Sequence, residues 1–101
     1  MEQDTTDKLK AVARDLQSRI DESIEILKRL HSNQALPRDG SIYILDQVER
    51  EKHFALVGAY DLVQRKIYSA FPTLMPKDYE KARAKLCKAI PWIQLAYAKS
   101  N

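Results

Sequence analysis

The chain has 101 residues and a mass of 11.7 kDa, room for one folded domain and no second. Apolar residues at 45% and charged residues at 31% exclude intrinsic disorder, and a single cysteine, Cys87, excludes an intramolecular disulfide. The net charge of +3 is unevenly spread. Residues 1–50 carry 8 basic and 10 acidic side chains and residues 51–101 carry 9 and 4, an electropositive half that still falls short of a dedicated nucleic-acid arm.

The first element is a helix over 7–32. Leu9, Ala13, Leu16, Ile20, Ser23, Leu27 and Leu30 alternate spacings of three and four, with charged residues over most of the remaining surface. Asp4 or Thr6 is the expected N-cap, and 1–5 should fray. Residues 33–41 hold Pro37 and Asp39-Gly40 and are expected to form the first turn.

A second helix follows over 42–70. Leu45, Val48, Ala55, Ala59 and Leu62, with Leu56, Val63 and Ile67 on related faces, make its apolar stripe. The charged run 49–52 interrupts the stripe, but without Pro or Gly there one continuous helix is favoured, and Gly58 is expected at a close helix crossing. Pro72 ends this helix by disfavouring the helical conformation at Phe71. A third helix over 76–98 should begin with Pro76 at its first position, bury Tyr79, Ala82, Leu86, Ile90, Ile93 and Tyr97, and kink at Pro91. Residues 99–101 form a frayed tail.

The fold class is therefore all-α: a single domain, 1–101, built as an antiparallel bundle of three to four helices that dimerisation could complete. Uninterrupted apolar stretches are too short to span a bilayer, and the acidic, polar N-terminus lacks a secretory pattern. The expectation is a soluble, cytoplasmic protein with no membrane partner.

Catalytic chemistry has little to work with. His31, His53 and Cys87 are the only side chains that titrate near neutrality, and no nucleophile set or Arg-x4-6-His ribonuclease spacing involves them. His31 and His53 are expected at polar, solvent-edge positions, and Cys87 beside the stripe of the third helix. Glu49 and His53 share a helix face without the repeated Glu-x-x-His pattern of a bundle metal centre, and two glycines cannot build a phosphate loop. No enzyme activity, cofactor, metal or small-molecule substrate is expected.

Two surfaces stand out. Ile42, Tyr43, Ile44 and Leu45 put four apolar residues around one helical turn, more than one buried face absorbs, and form the candidate protein interface. Lys77, Lys81, Lys85 and Lys88 form one stripe, joined by Arg83, Arg65 and Lys66, with Trp92 and Tyr97 just beyond, as the candidate anion or nucleic-acid contact. The aromatic set Tyr43, Tyr60, Tyr68, Phe71 and Tyr79 around the second and third helices reads mostly as core or core edge. The leading expectation is a non-enzymatic helical protein that binds a protein partner or itself, as an adaptor, inhibitor or assembly factor. The alternative is a nucleic-acid-binding accessory protein using the basic face of the last helix.

Overall fold

The computed structural model describes residues 2–33 and 40–93. Three helices account for most of them: α1 (Glu2–Asn33), α2 (Gly40–Ala70) and α3 (Tyr79–Ala89), with short 3-10 turns at Pro72–Leu74 and Pro91–Ile93. The fold is all-α, a three-helix bundle in which α1 and α2 make a long antiparallel hairpin and α3 returns alongside it. Its dimensions of 56 × 25 × 18 Å follow from the hairpin, since a 32-residue helix is about 48 Å long. The radius of gyration, 15.9 Å, exceeds the value of about 13 Å for a sphere-like domain of this size.

The helix α1 buries the stripe its spacing predicts. Ala13, Leu16, Ile20, Ser23, Leu27 and Leu30 are all buried, together with Ile24, while Leu9 is half-buried. It starts five residues earlier than expected, so Asp4 and Thr6 lie inside its first turns and not at its N-cap. Asp4 instead pairs with Lys8 at 3.3 Å, and acidic residues here face the positive end of the helix dipole.

The helix α2 runs unbroken through the charged run 49–52 and through the half-buried Gly58. Its orientation differs from expectation. The residues turned to the bundle are His53, Val57, Asp61, Gln64 and Tyr68, whereas Leu45, Val48, Ala55, Ala59, Leu62 and Val63 are exposed and only Leu56 and Ile67 are half-buried.

The end of α2 lies where Pro72 requires it. Pro76 precedes α3 and accepts the Tyr79 N–H at 3.1 Å through its carbonyl, so the third helix opens at Tyr79 after Asp78. It also stops sooner. The residue before a proline avoids the α conformation, and Ile90 sits at φ −129°, ψ 77°, so Pro91 starts a 3-10 turn where a kinked continuation was expected. Residues 94–98 of the expected third helix, Tyr97, the tail 99–101 and most of the first turn lie outside the described residues.

Two apolar clusters fill the bundle. Ile20, Ile24, Leu27, Val57 and Ile90 form the larger, with Phe54, Tyr60, Leu86, Cys87 and Trp92 packed on it. Ala13, Tyr68 and Tyr79 form the smaller, where the two tyrosine rings meet edge to face at 4.9 Å. Trp92 closes one end, stacked on His31 at 4.4 Å and edge-on to Phe54 at 6.1 Å. It belongs to the core and not to the basic surface.

Candidate functional site

A polar layer separates the two apolar clusters, and each helix supplies part of it. Gln17 lies between Ala13 and Ile20 on α1, Asp61 and Gln64 between Val57 and Tyr68 on α2, and Arg83 between Tyr79 and Leu86 on α3. Arg83 donates to both Asp61 oxygens, from Nη2 to Oδ2 at 2.9 Å and from Nε to Oδ1 at 3.3 Å. Arg65 approaches the same carboxylate from within α2, Nε to Oδ2 at 3.3 Å. Burial is the largest influence on the Asp61 carboxyl and pushes it up; the Arg83 and Arg65 guanidinium charges oppose that push. A charge with no exposed surface persists there because a bidentate arginine faces it.

Gln64 is equally enclosed. Its Nε2 donates to the Ala13 carbonyl at 3.1 Å and to Gln17 Oε1 at 3.0 Å, which fixes the sense of the amide. One level further along, His53 Nδ1 lies 3.2 Å from Ser23 Oγ, and its Nε2 lies 3.4 Å from Glu49 Oε2. His53 is therefore a buried cross-helix contact, not the solvent-edge residue expected. Glu49 and His53 do meet, but no three of His, Cys, Asp and Glu converge to hold a metal among the described residues.

The layer also divides the predicted cationic set. Arg83 and Arg65 are drawn inward onto Asp61 and leave the surface, while Lys66, Lys77, Lys81, Lys85 and Lys88 are exposed. Lys77 shares a cleft of about 330 Å³ with Lys10, Arg14, Thr73 and the edge of Tyr68, a grouping that spacing along one helix could not reveal.

With polar groups facing inward, α2 carries its apolar residues outside. Ile42, Tyr43, Ile44 and Leu45 are 46, 57, 63 and 65% exposed, so no helix among the described residues wraps the first turn. The exposed surface continues through Val48 (56%), Ala55, Ala59, Leu62 (42%) and Val63 (46%). On α1 the only large apolar side chain exposed among the described residues is Val12. This outer face of α2 is the candidate functional site, and the turn 42–45 is its end. No helix among the described residues is long and apolar enough to cross a membrane. Compared with known protein families, curated proteins and solved structures, the chain matches none, and a functional reading rests on this geometry.

Proposed function

We propose that this is a non-enzymatic, protein-binding helical protein of the cytoplasm, and that the outer face of α2 is where it binds. One observation carries the reading: α2 turns Asp61, Gln64 and His53 inward and leaves Leu45, Val48, Leu62 and Val63 in water. Burial of apolar area is worth about 25 cal/mol per Å². A hairpin that functioned alone would gain by turning α2 over; one whose outer face is covered by a partner loses nothing by the observed arrangement. A row of exposed apolar side chains along one helix face, rimmed and interrupted by charged residues, marks an interaction site.

Phosphate contact by the last helix has weaker support. Three lysines, Lys81, Lys85 and Lys88, remain on its surface and Lys77 lies in the turn before it, but the two arginines that would add bidentate phosphate contacts are engaged by Asp61.

Site-specific photo-crosslinking in cells tests the reading. With p-benzoyl-phenylalanine in place of Val48 or Leu62, protein adducts are expected that disappear when Leu45→Lys is added; in place of Lys81, none are. An outer face that yields no adduct, or nucleic-acid adducts from position 81, would overturn it.

A further inference from the structure

We infer that the occupant of the α2 outer face is a second copy of this chain, packed antiparallel through α2 about a two-fold axis level with residue 57. The inference rests on the protein-binding reading of that face and specifies its partner. Leu45, Val48, Lys52, Ala55, Ala59, Leu62 and Lys66 are all exposed and follow spacings of 3, 4, 3, 4, 3 and 4, the a and d positions of a heptad. The seam runs for about 32 Å along the helix. It lies opposite Val57 and Asp61, so neither α1 nor α3 obstructs it.

The order of residues along the seam selects both the partner and the direction. At the centre, Ala55 and Ala59 lack bulk, so a second helix can approach to the short end of the usual 8–10 Å range. An antiparallel copy sets Ala55 against Ala59 of the other chain, Lys52 against Leu62, and Val48 against Lys66. Each lysine stem then lies on an apolar side chain, and each ammonium reaches the edge of the seam. Glu49 and Glu51 flank Val48, both exposed, and so come level with the opposing Lys66. A parallel copy would set Lys52 against Lys52 and Lys66 against Lys66, two like-charge contacts inside the seam. An unrelated apolar helix would cover the lysines without supplying the acidic edge.

A seam with two alanines and two lysines should bury area at the low end of specific interfaces, about 1,200 Å² in total, and without a large aromatic anchor at its centre the expected association is micromolar. Sedimentation equilibrium from about 1 to about 500 µM is expected to carry the mass from 11.7 kDa toward twice that value, with half-conversion on the order of 10 µM. Ala59→Glu puts a carboxylate into the closest part of the seam and should raise the dimer Kd at least about thirtyfold. Because Ala59 is exposed, the circular dichroism of the dilute monomer should not change. Direction is read by mild oxidation in a Cys87→Ala background. Chains with Ala55→Cys mixed with chains with Ala59→Cys should form the mixed disulfide faster than either forms its own.

A single 11.7 kDa species throughout, a dimer indifferent to Ala59→Glu, or preferential homodisulfides would overturn the inference. The crosslinker at Val48 separates that failure from failure of the broader reading. Adducts with a different protein, from a chain that stays monomeric, would overturn only the second copy; no adducts at all would overturn both.

Discussion

The two long helices have nearly the same length and opposite habits. The helix α1 buries Leu16, Ile20, Ile24, Leu27 and Leu30, with only Ser23 and the half-buried Gln17 as polar residues in its inward stripe. The helix α2 buries Val57 and Tyr68 beside His53, Asp61 and Gln64, and exposes seven large apolar residues between Ile42 and Val63. Regular spacing therefore identifies the apolar face of each helix, but only on α1 is that face the one turned to the core. A buried polar stripe is tolerated on α2 because most of its groups have partners on the other helices, namely Arg83, Gln17, the Ala13 carbonyl and Ser23, and only the Gln64 Oε1 in this stripe is buried without one.

The sharpest way to break this contrast is to remove the charge that α2 buries. Asp61→Ala leaves Arg83 and Arg65 largely enclosed without their carboxylate and should cost about 4 kcal/mol in urea unfolding. The double change Asp61→Leu with Arg83→Met should recover most of that loss, because no charge is then stranded at the junction of α2 and α3. On the α1 side, Leu27→Ala opens a cavity in the larger cluster and should cost about 3 kcal/mol.

A smaller effect comes from pH. Burial pushes the Tyr68 phenol above its ordinary value of 10.0, partly opposed by the charge of Arg14. The folded chain then holds that proton where the unfolded chain releases it, so the stability linked to Tyr68 is intact below pH 10.0 and falls as pH rises above it. Urea midpoints at pH 9 and pH 11, on the scale set by free tyrosine near 10, should differ less in Tyr68→Phe than in the parent chain. The smallest effect is expected on the outer face. Leu45→Ser should change the stability of the dilute monomer by less than about 0.5 kcal/mol, because Leu45 is 65% exposed. A large loss there would mean that the outer stripe supports the monomer, and the contrast between the helices would fail.

Much of the fold was legible in the residues, because periodicity and prolines act locally. The buried stripe of α1, the continuity of α2 and its end at Pro72 all follow from such signals, whereas the start of α1 was set five residues late because Asp4 and Thr6 resemble caps but lie within the helix. The start of α3 was misplaced because Pro76 suits a turn before a helix as well as a first helical position, and its end because Ile90 yields to Pro91. The apolar turn Ile42–Tyr43–Ile44–Leu45 could be identified from composition alone. The rest of the α2 surface could not, because His53, Val57, Asp61, Gln64 and Tyr68 repeat with spacings as regular as the apolar stripe. Choosing between the two faces needs the positions of Arg83 and Ser23, which are distant in sequence. A signal was present in retrospect: an Asp and an Arg on facing helices, Asp61 four residues after Val57, and Arg83 four after Tyr79 and three before Leu86.

The placement of Trp92 has a practical consequence. The chain contains one tryptophan, and it sits where the turn after α3 meets the hairpin, between His31 near the end of α1 and Phe54 within α2. Its emission reports on the docking of that turn, whereas far-ultraviolet dichroism is dominated by α1 and α2. Following both signals through one denaturation resolves whether the short third helix detaches before the hairpin melts or together with it, with no label added to the protein.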